Sequence, residues 1–144
     1  MQLVDTNIFI HFLVRPAGDI GRKEHDACAA LVERVHLGDQ EIATTEACRA
    51  EIFHVLTEKQ QFRRPVEEAV SALRAITSQR GLRIQRHNLY SQALDILDRH
   101  RTLGFEDALL AAHALETGME IVSYDRHFDR VPGLVRVEPT PVTS

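Results

Sequence analysis

The sequence predicts an α/β fold with a mainly parallel sheet, and two observations support this class. Short apolar segments alternate with amphipathic stretches of ten or more residues, as in strands joined by crossover helices. The chain has 144 residues, of which 44% are hydrophobic and 26% charged, a composition typical of a soluble globular domain. With no repeat or linker, it is predicted to form a single domain over residues 1–138, followed by a mobile tail over 139–144.

Five segments are predicted strands because each is short, rich in apolar residues and bounded by turn or helix signals. They are residues 1–4, 41–44, 82–84, 120–123 and, as an edge strand, 134–137. If the central strands are parallel, their carboxyl ends meet at one edge, where open α/β sheets bind ligands.

Capping residues mark the first two predicted helices. Asp5, Thr6 and Asn7 follow the first strand and can cap a short helix over residues 8–13. A longer helix is predicted to end near Leu37, because glycine and aspartate follow it.

The next two predicted helices lie on either side of a polar stretch. Thr45 can cap the first of them. Its predicted apolar stripe is Ala47, Ile52, Val55 and Leu56. Pro65 stands where the following helix is predicted to begin, and Gly81 where it is predicted to end.

Two further helices are predicted in the second half of the chain. The segment 88–100 is amphipathic, and Gly104 separates it from the next helix. Residues 105–116 are dense in Ala and Leu, which are strong helix formers. Gly118 is the predicted C-terminal cap of this second helix.

Charge and cysteine content exclude several classes of protein. With 17 Lys and Arg against 21 Asp and Glu, the formal net charge is -4, which argues against nucleic-acid binding by bulk charge alone. Cys28 and Cys48 form no metal-binding or redox motif, as expected for reduced thiols of a cytoplasmic protein. The N-terminus lacks the features of a signal peptide, and no apolar run is long enough to span a membrane.

Four carboxylates are candidates for a metal site, because they lie at the ends of predicted strands or in predicted helices. Asp5 directly follows the first strand, and Asp125 follows the fourth. Asp107 lies in the first turn of a helix, and Glu51 lies inside another. Carboxylates that share a pocket repel each other, and a hard divalent cation such as Mg²⁺ relieves that repulsion. Such an ion can also activate water against a phosphodiester.

The motifs around these carboxylates resemble those of PIN-domain nucleases, and most closely the VapC-like toxins of toxin–antitoxin pairs. They occur in the order VDTN at residues 4–7, AEI at 50–52, GFEDAL at 104–109 and IVSYDRHF at 121–128. The resemblance spans nearly the whole chain. The motif around Glu51 is weak by itself, whereas the other three are specific as a set.

The resemblance implies a three-layer α/β/α domain, a Mg²⁺ or Mn²⁺ site and cleavage of RNA. It also implies a homodimer and an antitoxin that inhibits by binding near the site. On matching positions, the four acidic places and their metal-binding role fall to Asp5, Glu51, Asp107 and Asp125. Asn7 takes the polar place after the first aspartate, and Ser123 takes a place where threonine is more usual.

Other acidic residues compete for these roles. Glu46 and Glu58 are alternatives to Glu51, although Glu46 lies about 140° away around the same helix. We interpret Glu106 as stabilising the first turn of its helix through the helix dipole. Asp129 could join Asp125, but a solvated turn residue is the favoured interpretation.

Two other functions stay open at this stage. One is another α/β phosphoryl-transfer enzyme, for which Asp5 is well placed, but Asn7 replaces the second aspartate of the expected motif. The other is a non-catalytic module that binds a partner protein, against which the complete acidic set argues. If RNA is the substrate, Arg15, Arg22 and Lys23 are candidate contacts near the first motif.

Overall fold

A computed structural model describes residues 1–84 and 86–139. The chain divides into two compact units between residues 85 and 86. A single domain over residues 1–138 therefore stays a prediction. The predicted mobile tail lies outside the described residues, apart from Pro139.

The first unit alternates strands and helices, as predicted. Its strands are β1 (Gln2–Leu3), β2 (Ile42–Ala43) and β3 (Leu82–Arg83). Its helices are α1 (Thr6–Leu13), α2 (Arg22–Leu37), α3 (Glu46–Thr57) and α4 (Val66–Thr77).

The strands of the first unit form a parallel sheet in the order β1-β2-β3. Gln2 is in register with Ile42, and Ile42 with Leu82. Beyond β1, the Val4 amide donates to the carbonyl of Ala43 at 2.9 Å, so the parallel pairing extends to the residue before Asp5. Each strand is only two residues long, shorter than predicted.

Packing in the first unit joins α1 to α2 and α3, and α3 to α4. The predicted stripe of α3 was wrong at Ala47, which is exposed. The buried residues of α3 are Arg49, Ala50, Ile52, Phe53 and Leu56. This set follows the helical period, whereas Ala47 lies about 140° away from Ile52 around the helix.

The prediction that Gly81 ends a helix was also wrong. Helix α4 ends at Thr77, with Ser78 as its cap. Gly81 is instead a close-approach residue, because a Cβ atom there would lie 2.0 Å from the Gln40 carbonyl oxygen. Its amide donates to the carbonyl of Val35 at 2.9 Å, and its carbonyl accepts from the amide of Ile42 at 2.9 Å.

The second unit begins with two successive helices, α5 (His87–Arg99) and α6 (Phe105–Thr117). They pack against each other. Tyr90 and Phe105 stack across this contact with ring centroids 6.2 Å apart. Two parallel strands follow, β4 (Ile121–Val122) and β5 (Arg136–Val137), joined through a 3-10 helix (Arg126–Arg130). All strand pairs described in the two units are parallel, which confirms the predicted α/β class.

Among the described residues, no helix is both long enough and apolar enough to cross a membrane.

Candidate active site

Asp5 lies at the junction between β1 and α1. It adopts an extended backbone and caps α1, with its Oδ1 accepting a hydrogen bond from the Thr6 amide at 2.8 Å. This confirms the predicted capping role, which leaves the rest of the carboxylate available. The side chains of Asp5 and Asn7 are exposed, while Val4 and Phe9 anchor the junction in the core.

Thr6 joins Asp5 to Glu51, and it is a residue whose role the sequence did not reveal. Its hydroxyl donates to Oε2 of Glu51 at 2.8 Å, across 45 positions of sequence. The side chain is buried, with 6% of its surface exposed. Asp5 and Glu51 therefore each place one carboxylate oxygen on the same residue, and the structure brings these two predicted residues together.

The geometry separates Glu51 from its two competitors. Glu46 lies in the first turn of α3, where its charge acts on the buried Arg49. Burial lowers the pKa of Arg49 to about 10, and the charge of Glu46 opposes that effect. Oε2 of Glu58, the C-terminal cap of α3, lies 3.7 Å from Nε2 of His54. Of these three acids, only Glu51 bonds to the Asp5 junction within the described residues.

The thiol of Cys48 belongs to the same neighbourhood, one helical turn before Glu51. Partial burial raises the pKa of the Cys48 thiol. Hydrogen bonding, led by the Thr45 side chain, lowers this pKa by more, so the net shift is downward. The buried thiol of Cys28 has its pKa raised by desolvation and, to a smaller extent, by Glu24.

Asp107 lies in the first turn of α6 and is half-buried between the buried residues Phe105 and Ala108. Its Oδ2 lies 3.9 Å from the position that a Cβ atom would take at Gly104, the cap residue. The carboxylate therefore lies at the amino end of the helix, where the macrodipole favours negative charge. Glu106 is in the same turn and is exposed, as its predicted dipole role requires.

Asp125 and Ser123 lie together after β4. The Asp125 amide donates to the Ser123 hydroxyl at 3.0 Å. The Asp125 carboxylate caps the 3-10 helix, with Oδ1 accepting from the His127 amide at 2.9 Å. The His127 ring also contacts this oxygen, with Nδ1 at 2.8 Å. The sequence offered no motif that singled out His127.

Asp129 differs from both of its sequence interpretations. It is exposed, but it is neither simply solvated nor bonded to Asp125, because Arg136 binds both of its carboxylate oxygens at 2.8 and 3.2 Å. Hydrogen bonding to the Arg136 guanidinium holds the pKa of Asp129 below its usual value. The bonds to Asp129 and Glu138 raise the pKa of Arg136 in turn.

The carboxylates of Asp5 and Glu51 fit a hard divalent cation. Asp5 and Glu51 offer carboxylate oxygens, which are the ligands that Mg²⁺ prefers. Within the described residues, Oδ2 of Asp5 and Oε1 of Glu51 accept no hydrogen bond. Across residues 1–84 and 86–139, no group of three or more His, Cys, Asp or Glu side chains is arranged to hold a metal ion. The convergence of all four acids stays a prediction.

Comparison with known proteins identifies the family. Among solved structures, the chain is similar to the crystal structure of VapBC2 from Rickettsia felis bound to a DNA fragment from their promoter, with 21% identity and a TM-score of 0.37. That similarity covers 95% of this chain and 97% of the other. No curated protein matches the chain significantly. The PIN domain family matches residues 3–134, and so the resemblance found in the motifs is confirmed: this chain belongs to the PIN domain family.

Proposed function

We propose that this protein is a metal-dependent endoribonuclease that hydrolyses RNA phosphodiester bonds. The observation that carries the proposal is the junction of Asp5, Thr6 and Glu51 in a chain of the PIN family, whose members are in general nucleases. One buried threonine binds both carboxylates there, and each keeps an oxygen with no hydrogen bond from the described residues. The sequence motifs supply Asp107 and Asp125 as the remaining acids.

In this proposal, Asp5 and Asp107 hold the principal Mg²⁺ or Mn²⁺ ion, and Glu51 and Asp125 bind it or orient its waters. When bound, the ion lowers the pKa of a water molecule and offsets charge on a phosphate oxygen. The protein's own contribution is to fix these oxygens before the substrate arrives. Asn7 and Ser123 act as polar support, and the Ser123 hydroxyl already holds the amide of Asp125.

The proposed biological role is that of a VapC-like toxin with a cognate antitoxin. It rests on the similarity of the four motifs to this branch of the family. The same similarity supports a homodimer as the working assembly and an antitoxin that binds near the acidic residues. Both cysteines are free, which supports a cytoplasmic location.

The test is cleavage of total cellular RNA by the purified, antitoxin-free protein, with Mg²⁺, with Mn²⁺ and with EDTA. We expect metal-dependent fragments that are absent with EDTA and absent from an Asp5→Asn variant. Asparagine is itself a good helix cap, so this variant keeps the fold of α1. Cleavage that persists with EDTA or in the Asp5→Asn variant would contradict the proposed site.

A second test separates a nuclease from a module that only binds a partner. Metal titration of the wild-type chain should give heat that disappears in Asp5→Asn. A chain that binds the antitoxin but neither metal nor RNA would be a non-catalytic module.

A further inference from the structure

We propose that Arg136 is a positioning residue that fixes the segment carrying Asp125, here called the Asp125 segment (residues 123–129). The proposal depends on the proposed nuclease function only in the role given to Asp125. The contacts that carry it lie wholly within the second unit. They connect β5 to both ends of this segment.

The Arg136 guanidinium binds the first and last residues of the Asp125 segment at once. Its Nη1 donates to the Ser123 carbonyl at 2.8 Å. Its Nε and Nη2 donate to the two carboxylate oxygens of Asp129 at 2.8 and 3.2 Å. Nη1 also reaches Oε1 of Glu138 at 3.0 Å, which adds a charge-assisted bond from the same strand end. This planar, two-pronged recognition is specific to arginine, because a lysine offers only a point charge.

Arg136 is itself firmly held. It is paired in register with Ile121 in the sheet of β4 and β5. Its side chain is 11% exposed, whereas the side chains of Asp129 and Glu138 are 50% and 48% exposed. The guanidinium is therefore more enclosed than the two acids that it binds.

The Asp125 segment needs this support, because its own structure is short. The 3-10 helix has five residues, and such helices are weak by themselves. Phe128 anchors it in the core with 3% of its surface exposed. Within residues 1–84 and 86–139, the bonds of Asp125 stay inside the segment, to Ser123 and His127. An anchor at both ends fixes where the Asp125 carboxylate lies.

The first experiment measures hydrogen exchange in the metal-free full chain, comparing Arg136→Met and Arg136→Lys with Arg130→Met. Arg130 is a matched control, since it is an exposed arginine beside the same segment with no side-chain bond in the described part of the chain. We expect the amides of residues 123–130 to exchange about 10-fold faster in Arg136→Met, the effect of losing charge-assisted bonds. The exchange rates of these amides in Arg136→Lys should lie between those of Arg136→Met and the wild type. The rates in Arg130→Met should equal those of the wild type.

Two exchange results would overturn the proposal. One is unchanged exchange of residues 123–130 in Arg136→Met. The other is faster exchange spread equally over α5 and α6, which would make Arg136 a general stabilising residue.

The second experiment separates positioning from RNA binding by steady-state kinetics with Mn²⁺. We expect Arg136→Met and Asp129→Asn to lower kcat about 10-fold, the usual scale for an outer partner of a metal site, with KM changed less than about twofold. A raised KM with unchanged kcat would mean that Arg136 binds RNA instead, and would overturn the proposal. If the wild type cleaves no RNA, the proposed function fails, but the exchange experiment still decides whether Arg136 fixes the segment.

Discussion

Asp5 and Asp125 have the same local design but different supports. Each follows a strand and each caps the helix that comes next. Beside Asp5, the support is the buried residue Thr6, whose amide binds Asp5 and whose neutral hydroxyl binds Glu51. Beside Asp125, the support is an ionic network on a five-residue 3-10 helix, with Arg136 at its centre.

The difference has physical consequences. A buried hydroxyl does not titrate and is little affected by salt. Exposed ion pairs are screened by salt and lose their attraction when the carboxylate is protonated. The two regions should therefore respond differently to substitution, to acid and to chemical probes.

The largest expected effect comes from removing each aspartate. We expect Asp5→Asn to lower RNA cleavage at least about 100-fold, which exceeds the usual loss from an outer partner. Asp125→Asn should lower RNA cleavage less than Asp5→Asn does, because Asp5 is proposed to hold the principal ion. Initial rates with Mn²⁺ would measure both variants. Asp26→Asn is the control, since Asp26 is exposed on α2 and its side chain forms no bond among the described residues. Equal losses in the two variants would contradict the ranking.

A smaller effect is expected from the Thr6 hydroxyl, which donates to Glu51 beside Asp5. Thr6→Val keeps the shape of the buried side chain but removes its donor, so we expect cleavage to fall about 10-fold. Thr6→Ser keeps the hydroxyl and should retain most of the activity. The comparison of these two variants, at equal folded content by circular dichroism, is the measurement. A serine variant as weak as the valine variant would show that packing, and not the hydrogen bond, is what Thr6 supplies.

Acid should weaken the Asp125 region first. Because Arg136 holds the pKa of Asp129 below its ordinary value of 3.8, ionised Asp129 contributes stability above that value. This contribution should disappear as the pH falls through the lowered pKa. Urea unfolding of wild type and Asp129→Asn should therefore differ near neutral pH and converge as the pH falls below 3.8. A difference that stays constant down to about pH 3 would contradict the ion pair.

The smallest effect concerns the two cysteines, whose titration can be followed without any assay of activity. The pKa of Cys48 is lowered, with hydrogen bonds from threonine hydroxyls outweighing its burial, whereas burial raises the pKa of Cys28. The pH midpoint of alkylation should thus be lower for Cys48 than for Cys28. A Cys48 midpoint at or above that of Cys28 would contradict the opposite directions of the two shifts.

The sequence predicted the fold well where the signal is local. The capping roles of Asp5, Thr45 and Gly118 are confirmed, and the strands fall within the predicted segments. Local signals failed at Gly81. A glycine is needed there because the Gln40 carbonyl leaves no room for a Cβ atom, and not because a helix ends there. They also failed at Ala47, because an apolar residue alone does not tell which face of a helix is buried.

The sequence named candidate acids for the site but not the residues that support them. Asp5 and Asp125 stand out because they follow strands, and a family resemblance could name Glu51. The bond from Thr6 to Glu51 spans 45 positions, and Arg136 binds Asp129 seven positions away across a turn. Neither spacing is a motif, since such bonds depend on how the elements pack.

The most direct test of the central claim is calorimetric titration of the metal-free chain with Mn²⁺. We expect wild type and Asp26→Asn to bind the ion with equal affinity, and Asp5→Asn to bind it at least about 10-fold more weakly. Equal Mn²⁺ affinity in all three proteins would contradict the claim that Asp5 is the principal metal ligand.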